Sequence, residues 1–576
     1  MSQELRRKLK EIDHRGYPAY KSLRGRYRFA DYMLNIEHVQ GDPFAAPSAL
    51  SITITAEEAG FPKDLLTDPS NPLTHRNSIA LADELLRRFA SGLRRGSHQT
   101  KGSGKSGSLS CAVPGQEVLE RSACFFNGKG DLTVKFLVGF PAAGRTILAG
   151  ELEKILFSIL PKCVSENLLY SSLPAGRLAA VRNLAEDQLS LREQMREEGL
   201  IGFIGDGAVL PRESGISQKP LKDAIPFRSP SEDRITFRLP HHGEISGMAV
   251  YPGITLIIGG GYHGKSTLLE GLERGIYDHI AGDGREFVMT DPTAMLVRAE
   301  DGRGIHNVNI SPFIRNLPNG KDTVRFSSDN ASGSTSQAAA VIESVEAGSR
   351  VLLMDEDTCA ANFMMRDELM EQIVADNEEP IVPYCRRMRA LYEELGVSTV
   401  LVAGSSGAFF READRVIQMK DYQPYDVTEK VRALAGERDL SDGRDVSKAA
   451  ADDLASLDFG SRKPVSDPKV TEPVRGRVKH KNLGRDGFVI NRASADLRAL
   501  EQIVDRDQME FLAYLTIALC GQMDGKQSLQ QLASRMMKRI ESAGFAAAVG
   551  GTLPGNLAMV RAQDIYAVLN RCRWIL

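Results

Sequence analysis

Apolar residues recur along this chain with two different periods, and the switches between them mark out its elements. Alternation over Met33–Val39 and over Ser51–Thr55 predicts two strands, with Asp42-Pro43-Phe44 and Pro47 breaking the chain between them. Leu85, Leu86, Phe89 and Leu93 share one face of a helix predicted over Leu81–Leu93. A strand over Val134–Phe140 follows, then helices over Leu152–Leu160 and Leu178–Met195 and a short strand over Ile201–Ile204. Pro211–Pro230, rich in Pro, Ser and Lys, reads as a connection. The apolar, β-branched run Ile254–Ile258 reads as a buried strand, and Val351–Met354 and Thr399–Ala403 read as strands as well. Residues 427–470 are charged, alanine-rich and weakly patterned, which suits a linker with short helices. Leu500, Ile503, Val504, Phe511, Leu512, Leu515 and Leu519 predict one core helix over Leu497–Leu519, with further helices over Ser528–Ala543 and Ala562–Trp574. Trp574 reads as a core or interface anchor.

At 576 residues the chain is too long for one core, and about three domains are expected. It is 42% hydrophobic and 26% charged, an ordinary globular balance. A formal net charge of -3 carries no basic bias, so any nucleic-acid contact must come from a local patch. The seven cysteines are scattered with no C-x-x-C pair, which argues against zinc and a disulfide framework and for a reducing compartment. The start, Met-Ser-Gln-Glu-Leu-Arg-Arg-Lys, has no apolar region of the signal-peptide kind. No apolar stretch reaches the roughly 18 residues of a membrane span. The expected location is therefore cytoplasmic, with no membrane partner.

The most informative stretch follows the Ile254–Ile258 strand. Gly259, Gly260, Gly261, Tyr262, His263, Gly264, Lys265 and Ser266 fit G-x-x-x-x-G-K-[ST], and Thr267, Leu268, Leu269 and Leu272 continue at helical spacing. Glycines let successive backbone N–H groups turn inward with no Cβ in the way, and with a helix start they form an anion site. Lys265 is placed to reach the β- and γ-phosphates of ATP, and Ser266 to offer its hydroxyl to Mg2+. The strand before and the helix after are the context that separates this motif from a chance match.

A second motif lies downstream. Val351-Leu-Leu-Met-Asp355-Glu356 is an apolar strand ending in two acids. Asp355 is the candidate Mg2+ ligand, and Glu356 the candidate group that orients and polarises the attacking water. Between the two, Asn330-Ala-Ser332-Gly333-Ser334-Thr335-Ser336-Gln337 precedes an alanine-rich helix, Ala338–Glu346. Small residues at a helix start make an anion site, or a plain N-cap.

Taken together these pieces resemble the ABC-class ATPases, whose Leu-Ser-Gly-Gly-Gln signature also opens a helix shortly before the acidic strand. Asp357-Thr-Cys-Ala-Ala-Asn362 is similar to their D-loop, with Asn362 where Asp is usual, and Ala413-Asp-Arg-Val-Ile417 to the entry of their last core strand. The switch histidine is missing, and Gly404-Ser405-Ser406-Gly407 stands in its place. Ser405 and Ser406 are the candidates for positioning water there; otherwise the site mainly binds and switches. Glu300 and Asp301 are candidates for the glutamine-loop residue, and Phe227, Phe237 and Tyr262 for the ring that stacks on adenine. The resemblance implies a homodimer in which Ser332, Gly333 and Ser334 of one protomer close over the triphosphate of the other.

More closely, the chain resembles a soluble, non-transporter subfamily of these ATPases. It is found in bacteria and includes a trypanosome mitochondrial protein associated with RNA-editing complexes. The shared strings are 259–267, Ile310-Ser-Pro-Phe-Ile314, 330–337, 351–357, Arg15-Gly-Tyr-Pro-Ala-Tyr20 and Gln40-Gly-Asp-Pro-Phe-Ala-Ala-Pro47. The implied fold is an α/β P-loop core of ABC-ATPase type, with an α+β N-terminal domain and a small helical C-terminal domain. The expected boundaries are 1–210, 211–425, a linker over 426–490, and 491–576.

An RNA-related role is implied by that relative alone. Its local counterpart is the stretch from Leu85 to Gln116, which has no acidic residue and carries Arg87, Arg88, Arg94, Arg95, Lys101 and Lys105 among glycines and serines. It reads as a contact for RNA or another nucleic acid, or as a mobile solvated loop. Val474-Arg-Gly-Arg-Val-Lys-His-Lys481 with Arg485 is a second basic run, most simply a solvated turn. The function expected is an ATP-driven homodimer whose closure controls a nucleic-acid partner; the alternative is a nucleotide-gated protein scaffold with little hydrolysis.

Overall fold

The computed structural model describes residues 2–62, 72–367, 373–374, 378–404, 406–435, 454, 457–458, 462–474 and 476–576. Ser405, Arg475 and most of the expected linker, 436–453, 455–456 and 459–461, lie outside the described residues. The chain divides into two compact units, residues 1–189 with 549–559, and residues 190–548 with 560–576.

The first unit is built on a six-stranded antiparallel sheet. Ser48–Ile54 and Leu132–Val138 form its centre, and Leu50, Ile52, Ile54, Val134, Phe136 and Val138 are buried. Met33–His38 extends it on one side, as the alternation predicts. The helix Pro72–Gly96 buries Leu81, Leu85, Leu86, Phe89 and Leu93 completely, so its apolar stripe is real, on a helix longer than the one expected over Leu81–Leu93. The string from Arg15 to Tyr20 has a structural use. Tyr17 and Tyr20 are buried, and their hydroxyls donate to the carbonyls of Phe140 (3.0 Å) and Pro141 (2.7 Å).

The second unit contains a six-stranded sheet in the order Met295–Leu296, Val351–Asp355, Ser398–Val402, Ile254–Ile258, Arg415–Lys420, Gln423–Asp426. Every pairing given for it is parallel except the last, which closes an antiparallel hairpin. Val351, Leu352, Leu353, Met354, Ile254 and Leu256 are all buried, which is why these strands are unbroken apolar runs. A four-stranded antiparallel sheet accompanies it, made of Arg234–Leu239, Gly243–Val250, Gly202–Gly205 and Val288–Thr290. Arg212–Ser214 and Ser217–Pro220 form a hairpin inside the stretch read as a plain connection.

Further on, His480–Asn482, Gly487–Ile490 and Ala493–Asp496 make a small antiparallel sheet ahead of the C-terminal helices. His480 bonds Glu510 (2.8 Å), so the second basic run is partly built into this sheet. The single helix expected over Leu497–Leu519 is instead a series of tight turns followed by the helix Arg506–Cys520. Leu500 N–H donates to Leu497 O and Ile503 N–H to Leu500 O, so buried residues three apart come from successive turns. Asp505 then caps the helix with a capping box to Gln508, fixing its start. The last helix is shorter than expected and ends at Leu569. No disulfide joins the cysteines among the described residues, Trp574 is buried, and no helix among those residues is long and apolar enough to cross a membrane.

Candidate nucleotide site

The phosphate loop leaves the strand Ile254–Ile258 at its carboxyl end. Gly259 has φ +142°, and a Cβ there would lie 2.3 Å from the Met419 carbonyl oxygen, so only glycine fits. Gly264 (φ +93°) turns the chain into the helix Lys265–Arg274, whose start has no side-chain cap. Its first N–H groups therefore point into the loop, ready for an anion. The Lys265 ammonium is folded back onto the carbonyls of Gly259 and Gly260, at 2.9 Å each. An incoming phosphate offers those donors a charged acceptor in exchange for two neutral ones.

The acidic strand is two places away in the sheet, with Ser398–Val402 between them. The Ser266 hydroxyl donates to Asp355 Oδ2 at 2.6 Å, and Asp357 N–H donates to Asp355 Oδ1 at 3.2 Å. Mg2+ takes oxygen donors and usually keeps several waters. A serine hydroxyl and a carboxylate already in contact beside the phosphate loop fit that ion, with nucleotide and water supplying its other oxygens. Glu356 Oε2 accepts the N–H of Gly404 at 2.6 Å. The segment standing where the switch histidine is missing therefore holds the candidate base through its backbone. Ser406 is spent locally, accepting from Ala408 N–H at 3.1 Å.

The helix Gly333–Glu346 begins at Ser332, which is exposed, and Gly333 is half-buried beneath it. Ser334 is buried and donates to Asn362 Oδ1 at 2.6 Å, while Gln337 accepts from Ala360 N–H at 2.8 Å. The signature-like and D-loop-like segments are thus stitched together within one chain, through an Asn362 oxygen that the usual Asp would offer equally well. Of the three signature residues, only Ser332 turns its side chain outward.

Glu300 is engaged elsewhere. It receives Arg571 Nε at 2.9 Å, and although burial works against its charge, Arg571 and Arg303 hold its carboxyl below the ordinary range. Arg298 bonds Glu501, and Arg573 donates to Gly302 O at 2.6 Å. The C-terminal part of the unit therefore grips the 298–303 segment, a link with no signature in residue spacing. Arg485, Asp486, Arg498 and Glu501 also line a cavity of about 680 Å³ together with Ser266 and Asp355, another neighbourhood the sequence reading misses.

Phe227 and Phe237 are buried, Phe237 packing edge-on to Phe203, so neither offers a face to a base. Tyr262 is 97% exposed with φ +63°. Thr267 is half-buried in the first turn of the helix. His263 is tied to the hairpin beyond the last parallel strand, its Nδ1 accepting Asp421 N–H at 2.9 Å.

The basic patch divides. Arg87 is spent inside the first unit on Asp83 and the carbonyls of Pro114 and Gly115, and Arg88 lies 3.9 Å from Glu84. Arg94, Arg95, Lys101 and Lys105 are exposed. The glycine-serine loop beneath the lysines is pinned: Ser103 N–H donates to Ala142 O, Lys105 N–H to Pro43 O and Gly107 N–H to Gly139 O, at 2.7–2.8 Å. Those partners include the Gln40–Pro47 string, which gives that string a role as well.

Behind the phosphate loop, Glu273 is buried and one of its oxygens has no hydrogen-bond partner among the described residues. Burial, only partly offset by Arg274, pushes its pKa up to about 7. A carboxyl raised on folding binds its proton more tightly in the folded state, so stability falls as pH rises from about 4.5 to about 7. The expected cost by pH 8 is about 3 kcal/mol. Glu273→Gln is expected to raise Tm relative to wild type at pH 8 and to leave it nearly unchanged at pH 4.5; equal effects at both pH values would remove the carboxyl from this account.

Three family models match the chain in succession: ATPase of the ABC class N-terminal over residues 2–171, the ABC ATPase P-loop domain over 175–452, and the MRB1590 C-terminal domain over 479–575. Uncharacterized protein MJ1628 of Methanocaldococcus jannaschii is 28% identical over 282 residues, which is 47% of this chain. The chain spans 61% of that relative's length. Among solved structures, cbiO1 from Clostridium perfringens, part of the ABC transporter complex cbiONQ, is 13% identical, with 41% of this chain and 92% of that one covered at a TM-score of 0.25. The ATP-binding cassette MJ0796, a dimer in a post-hydrolysis state bound to ADP and Pi, is also 13% identical, with 33% and 93% covered at a TM-score of 0.20. With residues 2–171 and 175–452 matched by the two ABC-class models, the chain belongs to the ABC-class ATPases.

Proposed function

We propose that the chain binds ATP with Mg2+ and hydrolyses it as a homodimer, and that closure of the dimer controls a nucleic-acid partner, RNA in the first instance. The observation that carries the nucleotide part is convergence. Lys265, Ser266, Asp355 and the Glu356–Gly404 pair meet at the carboxyl ends of three neighbouring parallel strands, where open α/β sheets bind ligands. In this reading the N–H groups of Gly259–Thr267 cradle the phosphates and Lys265 reaches the β- and γ-groups. Ser266 and Asp355 hold Mg2+, which when bound neutralises charge on the phosphoryl oxygens. Glu356, freed from Gly404, orients a water and takes its proton as the water attacks the γ-phosphorus and ADP leaves. The exposed Ser332 and its helix start seal the triphosphate of the partner protomer.

The nucleic-acid part rests on Arg94, Arg95, Lys101 and Lys105, which are exposed on a helix end and on a loop whose backbone is hydrogen-bonded to its neighbours. Binding of a single-stranded RNA is expected to weaken steeply with salt. Arg94→Ala with Arg95→Ala is expected to reduce the slope of log K against log salt by about 1.4, the share of two phosphate contacts. A slope unchanged by that double substitution would sink this surface. One observation favours the second reading, a protein scaffold gated by nucleotide: glycine and serine stand where the switch histidine is usual, and Gly404 there holds Glu356 through its backbone N–H, which suits slow hydrolysis. Salt-insensitive capture of a protein, with no RNA binding, is the result that selects it.

A further inference from the structure

We infer that the base of the bound nucleotide is received by Tyr422, on the hairpin after the last parallel strand, and not by Phe227 or Phe237 upstream of the phosphate loop. This rests on the nucleotide reading above and adds the part of the ligand that reading leaves unplaced. The upstream candidates are closed off, since Phe227 and Phe237 are buried. Tyr422 is 55% exposed, and its Cδ1 lies 3.4 Å from where a Cβ on Gly264 would stand. Gly264 immediately precedes Lys265, so the ring borders the phosphate cradle. A base joined through its ribose to phosphates in that cradle has this face within reach.

The turn that carries the ring is also held in place. Lys420 pairs with Gln423, so Asp421 and Tyr422 are the two central residues of a tight hairpin, with φ +51° and φ +65°. Such turns favour Asn and Gly, and an aromatic residue in the left-handed region carries a conformational cost. Strain of that kind persists where surrounding structure enforces it, and it concentrates at ligand-binding sites. Here the enforcing contacts come from the phosphate loop itself. His263 Nδ1 takes the Asp421 N–H, and Gly259 lies against the Met419 carbonyl. On the far side the Gln423 amide donates to Pro226 O at 3.0 Å. Tyr262 is a poorer platform, because at 97% exposure almost nothing supports its ring.

The test compares two ligands that share the phosphates and differ in the base. ATP and inorganic tripolyphosphate, each with Mg2+, are titrated calorimetrically into wild type, Tyr422→Ala and Tyr422→Phe. Stacking of a base on a ring predicts a loss of about tenfold to a hundredfold in ATP affinity for Tyr422→Ala, with tripolyphosphate unchanged. Tyr422→Phe, which keeps the ring, is expected to bind ATP nearly as wild type does. Unchanged ATP affinity in Tyr422→Ala overturns the inference, as does an equal loss for both ligands. A wild type that binds tripolyphosphate and ATP equally well overturns the platform alone, whereas a wild type that binds neither overturns the nucleotide reading and the platform with it.

Discussion

Glu356→Gln is expected to stop turnover by about 10²–10⁴-fold while leaving ATP binding intact. The amide is nearly isosteric and can still accept the Gly404 N–H through its oxygen, so the loop that holds it has no reason to move. What it loses is the ability to take a proton from water. Because the other phosphate contacts are untouched, bound ATP persists, and the closed dimer it supports is expected to accumulate. Size-exclusion chromatography with Mg2+ and ATP should show a species of twice the mass for the variant, and a smaller share of it for wild type, which is expected to hydrolyse the nucleotide. Turnover at the wild-type rate would place the general base elsewhere, and a monomer in saturating ATP would remove the shared-triphosphate arrangement.

Lys265→Ala is expected to act one step earlier. In the structure the ammonium is satisfied by the Gly259 and Gly260 carbonyls, so removing it leaves the loop's own fold standing on its glycines and on the hairpin contacts. The loss falls on the ligand. Charge-assisted bonds to phosphate contribute about 1.5–3 kcal/mol each, and a group that reaches two phosphates forfeits on the order of 3 kcal/mol or more. ATP affinity is therefore expected to drop more than a hundredfold, and ATPase activity and ATP-dependent dimerisation with it. The two substitutions separate cleanly. Glu356→Gln keeps ATP and dimerises, and Lys265→Ala does neither, while thermal melting without nucleotide should leave both close to wild type.

Much of the candidate nucleotide site could be read without coordinates. The glycine run, Lys265-Ser266 and the acidic end of Val351–Asp355 are local patterns, because a phosphate cradle is made by consecutive backbone N–H groups and a buried parallel strand is a consecutive apolar run. Ser332 at a helix start follows the same logic. Misreadings arose where spacing had two origins. Leu497, Leu500 and Ile503 carry helical spacing but lie in successive turns, and Asp505 rather than the apolar pattern sets where the helix begins. Charge was ambiguous in the same way. Nothing in the sequence separates Arg87, which ties its helix to the 114–115 loop, from Arg94, which is exposed.

By itself, then, the sequence determined what consecutive residues can make: the phosphate loop, the acidic strand, the signature-like helix start and the α/β class of the core. Tertiary structure alone decided what meets across long separations. It set the Asp421–Tyr422 turn against His263, Glu356 against Gly404, Arg571 and Glu501 against the 298–303 segment, and Pro43 beneath the basic loop. The reason is physical. A backbone cradle or a buried strand is encoded within about ten residues, whereas a hydrogen bond between residues far apart in the chain depends on how whole elements pack, and no periodicity records its partner.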